Sequence, residues 1–293
     1  MITVFTPAYN RKYIIDTLYQ SLRNQTDFNF EWLVVDDGST DGTKEYFDLL
    51  CAQENPFPIR YFYKENGGKH KAINYGVERA QGQVFFIVDS DDSLTPDAIQ
   101  KISVWAGQVC DDTKCAGVAG TRGYTKEQRI GDYYTGSVEY IDATNLEREK
   151  YNLLGDKAEA YFTEVLRRYP FPEFENERFV TEEVVWNQIA MDGLYLRWYP
   201  DIIYIGEYLA DGLTKSGDKK YQDNPQGTLA WSKQQLTIYK KGFKKRTLAI
   251  NRYYKAVKGK KSVKEMAKDL GVSACRCRIA IFTVKLGKLL TRS

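Results

Sequence analysis

The stretch FFIVDSDDSLTPDAI, residues 85–99, decides how the first part of the chain is interpreted. Its first four residues are apolar and rich in strand formers, so they predict a short buried strand. The next four, Asp89-Ser90-Asp91-Asp92, bring three carboxylates together where that strand ends. Carboxylates this close repel one another, and a divalent cation is a common way to hold them. The stretch therefore predicts a strand that leads either into a metal site or into a solvated acidic turn that caps the next helix, and its position at a strand end favours the metal site.

Strands and helices alternate along the chain before this stretch. The predicted strands are 2–6, 32–35, 59–63 and 84–88, and the predicted helices are 13–25, 40–51 and 69–80. This order predicts an α/β fold with a mostly parallel, Rossmann-like sheet flanked by helices. Ligands of such sheets bind at the carboxyl ends of the strands.

The unusual residues of the chain follow the predicted strand ends. They are Thr6-Pro7-Ala8-Tyr9-Asn10, Asp36-Asp37, residues 64–70 and residues 89–92. In the third group, glycines before a helix offer backbone amides to a phosphate, and Lys69 and Lys71 add positive charge. Neither G-x-x-x-x-G-K-S/T nor G-x-G-x-x-G is present, so NAD is not expected. His70, the single histidine, fits either a structural or a catalytic role.

Charge is divided unevenly along the chain. Residues 233–293 contain 18 Lys or Arg and two acids, a balance of +16. The preceding 232 residues contain 24 Lys or Arg and 37 acids, a balance of −13. An acidic body with a basic end predicts a polyanionic partner, either an anionic lipid surface or nucleic acid.

Cysteine usage and apolar runs bear on the compartment. The five cysteines are an odd number, and Cys275-x-Cys277 is closer than the usual zinc spacing. The opening MITVFTPAYN does not resemble a signal peptide, and no apolar run reaches the 18 residues of a spanning helix. We therefore expect a reducing cytoplasm.

The second half of the chain is less regular. Residues 115–120 predict a strand, residues 158–168 a helix, and the residues from 223 onward several basic helices. Glu182 and Glu183 open a further helix, where acids also suit the positive end of the helix dipole. Residues 262–273 predict a helix and a glycine turn that superficially resemble a helix-turn-helix.

The strand-end motifs together resemble family 2 glycosyltransferases with the GT-A fold. The resemblance is carried by residues 4–10 (VFTPAYN), 33–43 (LVVDDGSTDGT), 66–76 and 89–92 (DSDD). It is dense over residues 1–100 and looser to about residue 215. Glu182-Glu183 and residues 208–214 (YLADGLT) also resemble a bacterial branch that builds surface polysaccharides.

The resemblance implies an inverting transfer from a nucleotide-diphosphate sugar, with UDP as the expected nucleotide, to an acceptor hydroxyl such as that of a lipid-linked saccharide. Thr6, Pro7 and Tyr9 would line the base pocket. Asp36 or Asp37 would accept a hydrogen bond from the base, and Lys69 would lie near the ribose or diphosphate. The implied nucleotide-sugar residues also include Asn66, Gly68, Asp89 and Ser90. Asp91, together with Asp89, would hold Mn²⁺ or Mg²⁺.

The resemblance also implies a general base at a Glu-Asp pair, and this chain has Glu182-Glu183 instead. Alignment on Trp186 favours Glu183, whereas alignment on the preceding Thr181 favours Glu182, which we prefer. The implied domains are a catalytic domain over 1–222, with a nucleotide-sugar half (1–100) and an acceptor half (101–222). A basic helical region over 223–293 follows.

Two other functions compete with glycosyl transfer. A nucleotidyltransferase also combines a parallel sheet with a carboxylate-held metal, but it usually carries a glycine-rich basic loop where this chain has Pro7-Ala8-Tyr9-Asn10. A nucleic-acid-binding protein would use the basic end, but it leaves the carboxylates unexplained. We expect residues 233–293 to meet an anionic membrane on its inner face rather than nucleic acid.

Overall fold

The computed structural model describes residues 1–134, 138–206 and 217–290, with side chains up to residue 283. The strands are β1 (Ile2–Ala8), β2 (Phe30–Asp36), β3 (Ile59–Tyr63), β4 (Val84–Ile87), β5 (Ser93–Leu94), β6 (Cys115–Gly123), β7 (Ile141–Ala143), β8 (Lys157–Phe162) and β9 (Tyr195–Ile205). The helices are α1 (Ile15–Arg23), α2 (Thr43–Cys51), α3 (Lys69–Arg79), α4 (Ala98–Gly107), α5 (Thr163–Arg168), α6 (Glu183–Met191), α7 (Lys219–Gln222), α8 (Pro225–Ile238), α9 (Phe243–Val257), α10 (Val263–Leu270) and α11 (Ala274–Leu290).

The strands form one sheet in the order β3-β2-β1-β4-β8-β6-β9-β5, and β7 pairs with β9. Strands β1 to β4 run parallel to one another: β1 pairs with β2 and β4, and β2 pairs with β3. Strand β8 is antiparallel to both β4 and β6. The parallel arrangement predicted for the first hundred residues is therefore present, and its carboxyl ends lie along one edge.

Close packing fixes α3 against the middle of the sheet. Phe5 on β1 stacks on Phe85 of β4, with 4.8 Å between ring centroids. A Cβ atom added to Gly76 of α3 would lie 2.2 Å from the Phe5 ring. Only glycine permits this approach, which sets the position of the helix that begins at Lys69.

The prediction of a helix over residues 158–168 was wrong for its first half. Residues Lys157–Phe162 form strand β8, and only Thr163–Arg168 are helical. Ala158 and Ala160 are buried between β4 and β6, so pairing with two neighbouring strands outweighs the helix propensity of alanine.

The chain divides into two compact units. The first contains Met1–Pro170 and the described part of Val185–Glu207, and the second contains Phe171–Val184 and the described part of Tyr208–Ser293. This division assigns 171–184 to the helical unit, whereas the domain boundary expected at residue 222 remains a prediction. Residues 208–214, which carry part of the resemblance, lie outside the described residues.

The second unit has its own core, formed by α8 to α11. Its buried side chains include Trp231, Tyr253, Met266, Leu270 and Cys277. Ser262 and Glu265 form a capping box at the start of α10, and Gly271 ends the helix with a φ of 67°. The predicted helix and glycine turn are thus present. Within the described ranges, no helix combines the length and apolar character needed to cross a membrane.

Candidate functional site

The loops after β1 and β2 are joined through Asn10. This residue adopts a left-handed conformation with a φ of 53°. Its side-chain oxygen accepts the Thr40 N–H at 2.8 Å, and its own N–H donates to Ser39 Oγ at 2.8 Å. Asparagine tolerates this conformation and bonds locally, so it suits the position. The two loops therefore form one continuous edge above the strands.

The two predicted base-binding carboxylates both organise this edge. Asp36 is fully buried and accepts hydrogen bonds from the Ser39 N–H (2.7 Å) and the Tyr61 hydroxyl (2.6 Å). Asp37 accepts the N–H groups of Gly67 and Gly68, at 2.9 and 2.7 Å. Asp37 thus ties the glycine-rich segment to the end of β2, and a contact from either carboxylate to a nucleobase remains a prediction.

Lys64 and Asn66 also contact Asp37, and Lys69 contacts Asp89. Lys64 Nζ lies 2.7 Å from Asp37 Oδ1, and the Asn66 side-chain amide donates to the Asp37 carbonyl at 2.8 Å. Lys69, the first residue of α3, places Nζ 2.6 Å from Asp89 Oδ1. The neighbouring His70 points into the protein and is 2% exposed, which favours its structural role.

The residues predicted to line the base pocket, in and after β1, differ in their exposure to solvent. Thr6 is buried, and its hydroxyl accepts the Trp32 indole N–H at 3.0 Å. Tyr9 is 50% exposed and Pro7 is partly exposed. Pro7 and Tyr9 can therefore contact a ligand directly, whereas Thr6 can only support them.

Asp89 and Asp92 are held by groups from distant strands. The Arg122 guanidinium of β6 lies 2.9 Å from Asp92 Oδ2 and 3.5 Å from Asp89 Oδ2. The Tyr204 hydroxyl of β9 donates to Asp92 at 2.6 Å and accepts the Asp89 N–H at 2.9 Å. The same tyrosine ring lies 3.8 Å from the guanidinium carbon. Ser90 is buried in this turn.

These contacts give the three aspartates different electrostatic settings. Burial disfavours the charge of Asp89, but Lys69 and Arg122 outweigh it and lower its pKa. Burial raises the pKa of Asp91, and the neighbouring Asp89 charge raises it further. Burial also raises the pKa of Asp92 to about 7, although Arg122 opposes the shift. Asp89 is therefore the carboxylate whose negative charge is best compensated, whereas burial disfavours the charged forms of both Asp91 and Asp92.

Lys69 and Arg122 therefore offset much of the repulsion between the carboxylates of the turn. The sequence pattern predicted a metal ion in this role. The described residues contain no group of three His, Cys, Asp or Glu placed to hold an ion. Asp91 is nevertheless partly exposed, and Mg²⁺ or Mn²⁺ often binds one or two carboxylates together with substrate phosphates. The turn fits a divalent cation of that kind at Asp91, and the assignment of Asp91 and Asp89 as its ligands stays a prediction.

Glu182 and Glu183, the two candidate bases, belong to the second unit. Glu183 accepts hydrogen bonds from the Trp231 indole N–H (2.7 Å) and the Gln235 side-chain amide (3.1 Å), both on α8. Glu182 lies in the turn just before α6, and both glutamates are partly exposed. The contacts of Glu183 are those of a structural carboxylate, which favours Glu182 as the predicted base.

Sequence reasoning missed Arg122 and Tyr204. Nothing in their local sequence marks either residue as part of the site, because their contacts reach at least 30 residues back along the chain. The available signal was an arginine inside an otherwise small and apolar strand, CAGVAGTRG. A charge in such a strand needs a buried partner.

Comparison with known proteins identifies the family of this chain. Residues 3–167, more than half of the chain, match Glycosyl transferase family 2. The putative glycosyltransferase EpsH of Bacillus subtilis (strain 168) is 32% identical over 114 residues, which are 39% of this chain and 33% of EpsH. The putative teichuronic acid biosynthesis glycosyltransferase TuaG of the same organism is 37% identical over 102 residues, 34% of this chain and 40% of TuaG. The chain spans about a third of the length of the first curated relatives it matches.

Solved structures share the fold over nearly the whole chain. S. aureus TarS 1-349 in complex with UDP-GlcNAc aligns with a TM-score of 0.64 and 16% identity, covering 98% of this chain and 92% of that one. The mannosyltransferase PcManGT from Pyrobaculum calidifontis, in complex with GDP-Man and Mn²⁺, aligns with a TM-score of 0.53 and 16% identity, covering 100% and 80%. These likenesses confirm the predicted GT-A fold. The family itself follows from the match over residues 3–167, more than half of the chain: the chain belongs to glycosyltransferase family 2.

Proposed function

We propose that the protein is a metal-dependent, inverting glycosyltransferase that uses a nucleotide-diphosphate sugar, with UDP as the nucleotide. The observation that carries this proposal is the Asp89–Asp92 turn, where Lys69 and Arg122 hold Asp89 and leave Asp91 partly exposed. Family membership supports the transferase class. The UDP-GlcNAc bound to TarS and the GDP-Man and Mn²⁺ bound to PcManGT support the donor class and the cation.

In this proposal, different residues at the strand ends bind different parts of the donor. Pro7 and Tyr9 offer exposed surface to the base, and the backbone of residues 66–68 is held by Asp37 at the start of α3. Lys69 supplies positive charge beside Asp89. A divalent cation on Asp91 would neutralise charge on the departing diphosphate. Glu182 would take the proton of the acceptor hydroxyl as that oxygen attacks the anomeric carbon.

The proposed acceptor is a lipid-linked saccharide of a bacterial surface polysaccharide. The similarity to TuaG, whose name refers to teichuronic acid biosynthesis, supports this class. The basic residues of 233–293 supply an attachment to the anionic inner face of the membrane, where such an acceptor lies. Neither a nucleotidyltransferase nor a nucleic-acid-binding protein has comparable support.

The test is a donor screen that measures nucleotide diphosphate released from a panel of nucleotide-sugars, with Mn²⁺ or with chelator. The expected result is Mn²⁺-dependent release from a UDP-sugar, and inverted anomeric configuration in the product formed with a saccharide acceptor. Asp48→Asn, which alters an exposed pair with Lys44 on α2, is the matched control and should behave as the wild type. Formation of nucleoside triphosphate from pyrophosphate, or no reaction with any donor, would refute the proposal.

A further inference from the structure

Arg122 is an unusual component of the site because it comes from the opposite half of the sheet. It lies on β6, its side chain is 19% exposed, and it reaches both Asp89 and Asp92. Tyr204 braces the same pair through its hydroxyl and covers the guanidinium with its ring. Arginine keeps its charge at all working pH values, so this is a permanent cation beside the turn.

The geometry of Arg122 is not that of an ion pair optimised for stability. Its Nε atom is buried and has no hydrogen-bond partner in the described part of the chain. A buried donor left without an acceptor costs about 1–3 kcal/mol, so such groups in folded proteins call for an explanation. The explanation here is that Arg122 contacts two aspartates at once. The guanidinium must lie between them to do so, and its Nε atom is left without an acceptor.

The contacts of Asp89 and Asp92 determine how available Asp91 is to a cation. Asp92 is 7% exposed, and a Cβ atom on Gly206 would lie 2.4 Å from its Oδ1, so Asp92 is enclosed on that side. Asp89 is shared between Lys69 and Arg122. That leaves Asp91, whose charged form Arg11 and Lys69 also favour, as the partly exposed carboxylate that an added cation can reach. A single carboxylate binds Mg²⁺ or Mn²⁺ weakly, and substrate phosphates usually complete the set of ligands.

We propose that Arg122 is a positioning residue for the cation site: by holding Asp89 and Asp92 it leaves Asp91 as the carboxylate offered to a divalent cation, so that firm binding of the cation requires the diphosphate of the donor. This inference rests on the proposed function. It differs from a purely structural role, because a structural ion pair would affect stability without changing the dependence of cation binding on nucleotide.

The experiment is a Mn²⁺ titration of the intact protein, followed by the EPR signal of free Mn²⁺, with and without UDP. Mn²⁺ bound by UDP alone is measured separately and subtracted. The wild type should bind Mn²⁺ about tenfold more tightly or better when UDP is present. Arg122→Met should bind Mn²⁺ without UDP about tenfold more tightly than the wild type, because Asp89 loses one of the two cations that hold it and can join Asp91 as a ligand. Arg122→Lys keeps the charge and should resemble the wild type.

Tyr204→Phe is the control for general disturbance of the turn, since it removes two hydrogen bonds and no charge. Its Mn²⁺ binding without UDP should stay weak. Where Arg122→Met fails to fold, judged by circular dichroism, two other variants decide. Asp91→Asn should abolish UDP-dependent Mn²⁺ binding, whereas Asp92→Asn should retain it within about threefold, because Asp92 is not expected to be a ligand.

Two results would overturn the inference while leaving the proposed function intact. One is Mn²⁺ binding to the free wild type as tight as in the presence of UDP. The other is an equal loss of Mn²⁺ binding in Asp91→Asn and Asp92→Asn. Failure of the wild type to bind UDP under any condition would instead refute the proposed function itself.

Discussion

Asp91 is the residue on which the proposed chemistry depends most. Its charge is disfavoured by burial and by Asp89, both of which raise its pKa. Asp91→Asn should therefore leave the unfolding temperature of the cation-free protein unchanged or higher. The rate of nucleotide release should fall about a hundredfold or more, because stabilisation of the leaving diphosphate by the cation is lost. Initial rates at saturating Mn²⁺ and a thermal melt measure the two effects, and wild-type rates in this variant would contradict the metal role.

Glu182 and Glu183 can be separated by matched variants. Glu182→Gln should lower kcat about 10²–10⁴-fold with little effect on stability, as expected for loss of a general base. Glu183→Gln should lower the free energy of unfolding by about 1–3 kcal/mol, because the amide is a poorer acceptor for Trp231 and Gln235. Its kcat should change less. Equal and mild losses of kcat in both variants would show that neither residue is the base.

At the scale of elements, the connection between β2 and α3 depends on one carboxylate. Asp37→Asn should loosen residues 66–68, because an amide cannot accept from both glycine N–H groups and also pair with Lys64. We expect a loss of about 1–3 kcal/mol and a higher KM for the donor, with a smaller change in kcat. Faster amide exchange of Gly67 and Gly68 would locate the effect, and an unchanged KM would contradict it. Asp48→Asn again serves as the exposed control.

The sequence predicted the elements that depend on local pattern. Strands β1 to β4 are recognisable because short apolar runs end in polar or glycine-containing segments, and their parallel order brings those ends together. Strand β8 was not recognisable, because Ala158 and Ala160 acquire their role only between β4 and β6. Arg122 and Tyr204 were missed for a related reason, since nothing local indicates which turn they contact. The assignments of individual residues to donor and acceptor remain predictions.

For the whole molecule, the uneven charge predicts attachment to an anionic membrane. Helix α11 exposes Ile279 (50%) and Phe282 (63%) beside the exposed Arg276 and Arg278. Apolar and cationic residues on one helix suit a lipid interface. We expect binding to vesicles that contain phosphatidylserine but not to pure phosphatidylcholine, and weaker binding as salt increases. Vesicle sedimentation measures both.

Variants of α11 test whether this helix makes the contact. Arg276→Gln with Arg278→Gln should weaken binding to anionic vesicles about thirtyfold, since each basic residue contributes about 1 kcal/mol. Phe282→Ser should also weaken it. Leu49→Ser on α2 is the matched control, because Leu49 is 68% exposed on a helix of the first unit. Retention by DNA rather than by vesicles would instead favour a nucleic-acid partner.

The measurement that tests the central claim most directly is a thermal unfolding series of the wild type and Asp91→Asn with nucleoside diphosphates, each with and without Mn²⁺. A ligand at a hundredfold its Kd adds about 2.7 kcal/mol to the free energy of unfolding, a shift of about 5 °C. We predict that UDP with Mn²⁺ stabilises the wild type by this amount and leaves Asp91→Asn unchanged. No shift with any nucleotide, or an equal shift in both proteins, would contradict the assignment of the Asp89–Asp92 turn to cation and donor.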